Sequence, residues 1–350
     1  TAPTCAITAN PNTTPTNVNS ITYTFIFSEN VQNFDKTDIT VTNGIAGTFT
    51  KKSASEYTLV VAYKADGNQS VSISAGVCTD LNSNGNIAAK SGNILIDRTA
   101  PTNVKLTASP SGWTNSIITL TGSAIDSVSG IRYYQFTNSS TTPTSGWSDV
   151  NPASTSTVTK TKTVSSSSTW YFWVKDAVGN TSCSSSLTTS YETTKPIVSA
   201  SVISATSSSS INIVLKATDS GGSNLSSGNS YQYYLSKSST SLTGGSWTTY
   251  TASGSTITIA EGSDYYLFVK QVKDNAGNIS DTSGDIITVS YTKYHRFGPY
   301  RYDKTPPNAP TLTVKKSNSY GTQLGTVSSG NSSTIWTNTE TTYVELSATD

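Results

Sequence analysis

Apolar and polar residues alternate with a period of two along much of this chain. Segments 117–124 and 211–217 place a β-branched or apolar residue at every second position, with polar residues between them. This pattern is typical of half-buried β-strands. Clusters of Gly, Asn and Ser recur at intervals of roughly 8 to 12 residues and supply turns between the strands. The pattern therefore predicts an all-β chain of short antiparallel strands packed as sandwiches.

A short proline-bearing phrase divides the chain into repeats. It reads TAPT at 1–4, DRTAPT at 97–102, ETTKP at 192–196 and DKTPP at 303–307, and its first prolines are 98, 95 and 110 residues apart. These intervals match the length of a seven-stranded sandwich of roughly 100 residues followed by a stiff linker. We therefore interpret each phrase as a joint between domains.

The joints predict three complete domains and the start of a fourth. The predicted limits are 1–98, 99–194, 195–304 and 305–350, and the third domain carries an aromatic and basic extension at 291–302. Stiff proline joints favour an extended rod of sandwiches stacked end to end. The fourth domain would be only about half a sandwich, so we expect the natural protein to continue past Asp350. We also expect further residues before Thr1.

Within the domains, further phrases recur in a fixed order. They include GWTN and IWTN, GSAID, LKATD and LSATD, and the pair WYFWVKDAVGNTS and YYLFVKQVKDNAGNIS. In this order and wording the chain resembles bacterial immunoglobulin-like repeat domains. The resemblance implies tandem immunoglobulin-like β-sandwiches. Such arrays occur in surface adhesins and in accessory regions of secreted glycan-active enzymes.

The resemblance implies a structural role at the cell surface or outside the cell. We expect a non-catalytic stalk or spacer of an adhesin or an extracellular filament, whose partners are other domains or copies of the same protein. The alternatives are a module that binds glycans or host and neighbouring-cell proteins, and an accessory region of a secreted glycan-active enzyme. The fold alone does not choose among these roles.

Composition and charge exclude several other classes. The 22 basic and 21 acidic residues leave a formal net charge of +1, which offers no field to attract nucleic acid or an anionic membrane. No segment reaches the roughly 20 consecutive apolar residues that a membrane-spanning helix needs. We expect neither partner, and the repeats rather than the three cysteines indicate an extracellular location.

Catalysis is not expected, because the chain has a single histidine, His295. A Ser/His/Asp or Cys/His arrangement needs an imidazole, and no paired zinc or phosphate-loop spacing is present. The histidine lies in the segment YTKYHRFGPYRY, which the sequence places in an exposed hairpin or linker before the last joint. Because Tyr and Arg are enriched at interface hot spots, the segment also suits contact with a neighbouring chain. The candidate interface residues are Tyr294, His295, Arg296, Tyr300 and Arg301.

The tryptophans raise a glycan-binding alternative, since exposed rings can stack on sugars. Trp147 and Trp247 recur at matching places in two domains, as do Trp113 and Trp336. Recurrence at matching places favours a shared packing position over a ligand site.

Acidic residues gather where the topology brings strand ends and joints together. Successive strands of a sandwich alternate in direction, so the second and sixth strands end at the pole where the linker enters. Such a group of oxygen ligands suits calcium, which takes 6 to 8 oxygens at about 2.3 to 2.6 Å, although Asp and Asn also cap turns without any metal. The candidate calcium ligands are Asp97, Asp126, Asp176 and Asn180 in the second domain and Glu192, Asp219, Asp274 and Asn278 in the third.

A disulfide is the remaining candidate feature. Cys5 begins the first strand of the first domain, and Cys78 ends its penultimate strand. These two ends share a pole of a sandwich, so a bridge is plausible in an oxidising compartment. The alternative is two separate thiols, with Cys183 unpaired in either case.

Overall fold

A computed structural model describes residues 1–203, 211–226, 230–251 and 256–303, and the backbone of three further strands between 311 and 347. These residues form β-strands and one 3-10 turn, with no α-helix. The chain divides into two compact units, Thr1–Thr193 and Thr194–Asp350. The prediction of tandem immunoglobulin-like sandwiches is confirmed. No helix among the described residues is long and apolar enough to cross a membrane.

The first sandwich, domain 1, occupies the front of the first unit. One of its sheets has the spatial order β1-β2-β5-β4, and the other pairs β6 with β3, β7 and β8. Every strand pair in both sheets is antiparallel. Its elements are β1 (Cys5–Asn10), β2 (Ser20–Phe27), a 3-10 turn (Lys36–Asp38), β3 (Ile39–Thr42), β4 (Gly44–Lys51), β5 (Glu56–Tyr63), β6 (Gly67–Ile73), β7 (Ala89–Lys90) and β8 (Ile94–Ile96).

The core of domain 1 follows from the alternation in its strands. Strand β2 buries Ile21, Tyr23, Phe25 and Phe27 and leaves the residues between them more accessible. Phe34 packs its ring edge against Phe27, with centroids 5.0 Å apart. Burial of large aromatic side chains between the sheets is the dominant stabilising term of such a small sandwich.

The second sandwich, domain 2, completes the first unit. Its smaller sheet has the order β14-β11-β9, and its larger sheet has the order β10-β17-β15-β12-β13 with β16 paired to β15. Its strands are β9 (Thr102–Ser109), β10 (Trp113–Thr114), β11 (Ile118–Ile125), β12 (Ile131–Thr137), β13 (Ser148–Ser154), β14 (Val158–Val164), β15 (Ser168–Asp176), β16 (Thr181–Cys183) and β17 (Leu187–Tyr191).

Phe172 lies at the centre of domain 2 and is fully buried. Its ring packs on Phe136, with centroids 4.9 Å apart, and on the backbone of Gly122 in the facing sheet. A Cβ at Gly122 would lie 2.4 Å from the Phe172 ring. Glycine at this position therefore lets the two sheets close over the aromatic ring.

The second unit contains the third sandwich, domain 3. Its sheets have the orders β22-β19-β18-β24 and β21-β20-β23-β26-β25. Its strands are β18 (Ile197–Ile203), β19 (Ile211–Thr218), β20 (Ser230–Ser236), β21 (Thr248–Thr251), β22 (Ile257–Ile259), β23 (Tyr265–Lys270), β24 (Asp281–Thr282), β25 (Asp285–Val289) and β26 (Thr292–Tyr300). Three more strands, β27 (Thr311–Lys315), β28 (Gln323–Ser328) and β29 (Tyr343–Ser347), pair in the order β28-β27-β29.

The aromatic and basic extension predicted at 291–302 is part of this sandwich. Strand β26 lies inside the five-stranded sheet, paired with β23 on one side and β25 on the other. A two-residue turn at Ser290 and Tyr291 joins β25 to β26, and both residues have positive φ, 48° and 65°. This is the backbone of a tight hairpin turn that usually carries Asn-Gly. The segment is thus one strand of a hairpin, as the sequence allowed, but β26 lies between two other strands and is partly buried instead of exposed.

The recurrent tryptophans pack against lysines of the same domain. The Lys175 ammonium group lies 4.6 Å from the centre of the Trp147 ring, and that of Lys270 lies 4.8 Å from the centre of the Trp247 ring. Trp247 also stacks on Tyr294, with centroids 5.2 Å apart. The matching contacts in two domains support a packing role for this pair. Trp336 lies outside the described residues.

Candidate functional site

Three predicted ligands of the second domain converge at the joint between domains 1 and 2. Asp97, Asp126 and Asp176 each offer a carboxylate oxygen, and these oxygens lie within 4.8 Å of one another. All three residues are buried. We call them the joint carboxylates.

The topology explains the convergence. Asp97 follows the last strand of domain 1, β8, so it enters from the linker. Asp126 directly follows β11, and Asp176 is the last residue of β15. Strands of the two sheets of domain 2 thus end at the pole where the linker arrives, as the sequence predicted.

Backbone amides orient each of these carboxylates. Asp126 accepts hydrogen bonds from the amides of Val128 and Gly130, at 3.1 and 2.8 Å. Asp97 accepts from the amide of Ser129, at 3.0 Å. Turn capping therefore accounts for part of the arrangement, in agreement with the alternative in which these residues cap turns without a metal. Asp97 also caps a turn of its own, because its carboxylate accepts from the Thr99 amide at 3.1 Å. Capping does not by itself explain why this linker residue lies within 4.8 Å of two acids of domain 2.

Asp176 is oriented in the same way by its own turn. One carboxylate oxygen accepts from the amides of Val178, Gly179 and Asn180, and the other accepts from the Asn180 side chain at 2.7 Å. The Asn180 side-chain amide also donates to the Asp97 carbonyl at 3.3 Å. Asn180 thus braces the joint through its side-chain nitrogen.

The charged form of Asp176 is disfavoured at its buried position. Burial raises the pKa of Asp176 to about 6, and the Asp97 charge also raises it, against the lowering effect of the hydrogen bonds from Asn180 and Gly179. A raised carboxyl pKa shows that the folded state disfavours the charged form. A bound cation would remove this penalty, because it neutralises the same charge that a proton neutralises.

The composition of the cluster fits a hard cation. Carboxylate oxygens are the ligands that calcium prefers. The Ser129 hydroxyl is buried without a hydrogen-bond partner in the structure, and it lies in the turn whose amide holds Asp97. It is a further oxygen in the neighbourhood of the carboxylates. Ser129 was not predicted from the sequence, although it lies only three positions after Asp126.

Domain 1 contacts this pole of domain 2 directly. The Asn17 side chain donates to the Val178 carbonyl at 3.1 Å. Asp66 accepts a hydrogen bond from the Arg98 amide at 2.8 Å and another from the Thr99 hydroxyl. The joint carboxylates therefore lie where the two sandwiches meet within one compact unit. Nothing in the sequence marks Asn17 or Asp66 as joint residues.

The turn of domain 3 repeats the turn of domain 2. Asp274 accepts hydrogen bonds from the Asn278 amide and the Asn278 side chain, both at 2.7 Å. Asp219 lies with a carboxylate oxygen within 4.8 Å of one of Asp274. Glu192 belongs to the first unit, where it is buried and its amide donates to the Thr114 carbonyl. A common calcium site for Glu192, Asp219, Asp274 and Asn278 stays a prediction.

The predicted disulfide is not formed in the structure, in which Cys5, Cys78 and Cys183 are free thiols. Cys5 packs against the same core cluster that contains Cys78. Burial, together with the neighbouring Cys78, raises the pKa of Cys5 to about 11, and burial raises that of Cys78 to about 11. Such thiols carry little thiolate at neutral pH and oxidise slowly. A Cys5–Cys78 bridge stays a prediction for an oxidising compartment.

The candidate interface residues are not an exposed group. His295 is fully buried and Tyr294 is 8% exposed, so neither can contact a neighbouring chain. Their side chains pack within domain 3 because β26 is an internal strand. Arg296 and Tyr300 are half-buried and Arg301 is exposed. For these three residues the interface stays a prediction.

We expect His295 to make the stability of domain 3 depend on pH. Its Nε2 lies 2.6 Å from the Ser280 hydroxyl, its Nδ1 has no partner in the structure, and burial lowers its pKa to about 4 against the raising effect of Asp281. The unfolded chain takes up a proton near the usual pKa of about 6.5, whereas the folded domain resists protonation down to about 4. The stabilising contribution is therefore present above pH 6.5 and is lost as the pH falls towards 4.

We expect the second unit to lose about 2 kcal/mol of unfolding free energy between pH 7 and pH 4 from this group, after allowance for solvent screening. Thermal melts of the wild-type chain and of His295→Gln across this range measure the effect. The variant should show a flatter pH dependence. An unchanged pH dependence in the variant would exclude His295 as its source.

Comparison with known proteins identifies part of the chain. Residues 1–96 match the family model described as bacterial Ig-like domain. No curated protein matches the chain. The predicted resemblance is thus confirmed for domain 1.

Several solved structures are similar to this chain. They include domains A168–A170 of titin (13% identity, 81% of this chain, 97% of that chain, TM-score 0.30). A solved chain from a structural study of a 1.5-MDa bacterial ice-binding adhesin is 16% identical over 81% of this chain and 96% of that chain, with a TM-score of 0.37. The FN1–FN3 domains of chicken CNTN1 are 12% identical over 80% and 96%, with a TM-score of 0.25. These low TM-scores carry no argument about function.

Proposed function

We propose that this chain is a non-catalytic stalk or spacer segment of a bacterial cell-surface or extracellular protein, and that calcium stiffens the joint between its first two domains. The match of domain 1 to a bacterial Ig-like domain supports a structural or adhesin-like surface region. The joint carboxylates support the role of calcium. The convergence of these three carboxylates is the main support for the proposal, because a stalk functions only if its joints resist bending.

Calcium at the joint would connect three separate parts of the chain. Asp97 belongs to the linker, Asp126 follows a strand of one sheet, and Asp176 ends a strand of the other sheet. A cation bound to all three would hold domain 2 against the end of domain 1. Without it, the mutual repulsion of the carboxylates and the burial of Asp176 would favour opening of the joint.

The hydrogen bonds at the joint would then orient domain 1 and domain 2 relative to each other. Asp66 holds the Arg98 amide and the Thr99 hydroxyl on the domain 1 side. Asn17 reaches across to Val178. These neutral and singly charged contacts are each worth only about 1 kcal/mol net. We infer that they set the angle of the joint and that the cation supplies most of its resistance to bending.

Calorimetric titration of calcium into the chelator-treated chain tests the proposal. We expect heat of binding from the wild-type chain and the loss of one site in Asp126→Asn, which keeps the shape of the side chain and removes its charge. Asp80→Asn is the matched control, because Asp80 caps a similar turn in domain 1 by accepting hydrogen bonds from the amides of Asn82 and Asn84. Absence of heat, or equal titrations for all three proteins, would overturn the role of calcium.

A further inference from the structure

An open cleft lies along one side of domain 3, between the edge strand β21 of one sheet and the edge strand β22 of the other. Its volume is about 270 Å³. Leu235 and the buried Ile257 form part of its apolar lining. The remaining lining residues are two tyrosines, three hydroxyl-bearing residues and a pair of glycines. We propose that this cleft binds one neutral sugar residue of a glycan.

The aromatic part of the lining suits the apolar face of a sugar ring. Tyr233 and Tyr265 both line the cleft and are half-buried. Tyr233 is held by Tyr250, with ring centroids 6.4 Å apart and the planes nearly perpendicular. A rigid, partly exposed tyrosine offers both a flat apolar surface and a hydroxyl group. Such a side chain loses little conformational entropy on binding.

The polar part of the lining suits hydroxyl groups. Ser246 and Thr248 are exposed at the cleft, and neither side chain makes a hydrogen bond with another residue that the structure describes. Thr258 adds a third hydroxyl, which already donates to the Asn212 side chain at 3.1 Å. A polyhydroxylated ligand can both donate to and accept from such groups.

The charge and size of the cleft restrict the ligand further. The lining contains no acidic or basic side chain, so a neutral ligand is favoured over an anionic one. The Lys237 ammonium group lies over the Tyr265 ring, 5.7 Å from its centre, and Lys237 is not among the lining residues. A volume of about 270 Å³ is slightly below the 300 to 1,000 Å³ typical of sites for drug-sized ligands. The cleft is therefore large enough for a ligand of about the size of one sugar ring.

One wall of the cleft is held in place by the fold. The Gly245 amide donates to the Tyr234 hydroxyl at 3.0 Å. A Cβ at Gly245 would lie 2.6 Å from the Leu235 carbonyl, and Gly244 has a φ of +75°. Only glycines allow this segment to approach β20 so closely. The cleft is therefore formed before a ligand arrives, which lowers the cost of binding.

Titration of the full chain with methyl glycosides, followed by saturation-transfer NMR, tests the proposal. The neutral probes are the methyl glycosides of glucose, galactose, mannose and N-acetylglucosamine, and methyl glucuronide is the anionic probe. We expect at least one neutral glycoside to bind with a Kd on the order of millimolar. Tyr265→Leu and Ser246→Arg should each weaken this binding at least about tenfold. Ser246 is exposed, so the arginine blocks the cleft without disturbing the core.

Tyr291→Ala is the control, since Tyr291 is fully exposed in the same domain and should not affect binding. Lack of binding by every neutral glycoside, stronger binding of the glucuronide, or binding that survives both cleft variants would each overturn the proposal. The inference goes beyond the stalk function and does not depend on it. Titrations with calcium and with chelator separate the two, because the joint carboxylates belong to the other compact unit.

Discussion

Saturating calcium should raise the melting temperature of the first compact unit by about 5 to 10 °C. A ligand at one hundred times its Kd stabilises the folded state by about 2.7 kcal/mol, and each kcal/mol shifts the melting temperature of a unit of this size by about 2 to 4 °C. The effect requires the joint carboxylates, because the unfolded chain does not hold them together. Differential scanning calorimetry of the chelator-treated chain, with and without calcium, measures it.

Asp126→Asn should remove this rise while leaving the chelator-treated protein at least as stable as the wild type. The asparagine side chain can still accept from the amides of Val128 and Gly130, and one of the repelling charges is gone. Magnesium should give a smaller shift, because it demands a tighter octahedral geometry and retains its waters. An equal rise in the wild type and in Asp126→Asn would place the bound calcium elsewhere.

Phe172→Ala should destabilise the first unit by about 3 to 5 kcal/mol, the usual cost of truncating a buried aromatic residue. Phe172 is fully buried, and its ring fills the space over Gly122 in the facing sheet. It lies on β15, the strand that ends at Asp176. The variant should therefore bind calcium more weakly as well, since part of the population no longer presents the joint carboxylates.

Tyr171→Ala is the control for this prediction, because Tyr171 is the neighbouring residue on β15 and is only half-buried. Its cost should be well below that of Phe172→Ala. Urea titrations of the two variants give both unfolding free energies. Similar costs for the two substitutions would contradict the placement of Phe172 at the centre of the domain 2 core.

The sandwich fold and the joint carboxylates were predictable from local patterns. Alternation of apolar and polar residues identifies strands such as β11. The recurrent Asp and Asn at strand ends gave Asp126, Asp176 and Asn180, and strand topology placed them at the pole where Asp97 enters. Each of these inferences needs only a short stretch of sequence and the rule that successive strands of a sandwich reverse direction.

Features that depend on distant contacts or unusual turns were not predictable. Asn17 and Val178 are 161 positions apart, and their hydrogen bond depends on how two complete domains meet. The turn at Ser290 and Tyr291 has two positive φ angles without the glycine or asparagine that normally marks them. The sequence predicted an exposed hairpin or linker here, so the pairing of β26 inside the sheet and the burial of His295 were missed.

The disulfide illustrates a different limit. The sequence placed Cys5 and Cys78 at one pole of domain 1, and both do belong to its core cluster. Whether two such thiols are joined depends on the oxidant and on their thiolate fraction as well as on the fold. The redox state of Cys5 and Cys78 therefore depends on the compartment in which the protein is located.

The cleft of domain 3 was also not predictable from the sequence, because only the tertiary structure brings its residues together. Its tyrosines, hydroxyl groups and glycines are spread over four strands and a loop between Tyr233 and Tyr265. Two of the tryptophans that raised the glycan-binding alternative, Trp147 and Trp247, pack against lysines. A stalk that binds glycans would combine the proposed structural function with the alternative function of glycan binding.

Residual dipolar couplings of the full chain, measured with calcium and with chelator, test the stiffened joint most directly. Couplings from domain 1 and domain 2 each report an alignment tensor. With calcium, the two domains should share one tensor, because the cation holds Asp97 of the linker to Asp126 and Asp176. With chelator, or in Asp126→Asn under either condition, the two tensors should differ in magnitude. Tensors that stay identical without calcium, or that stay different with it, would contradict the claim that calcium makes this joint rigid.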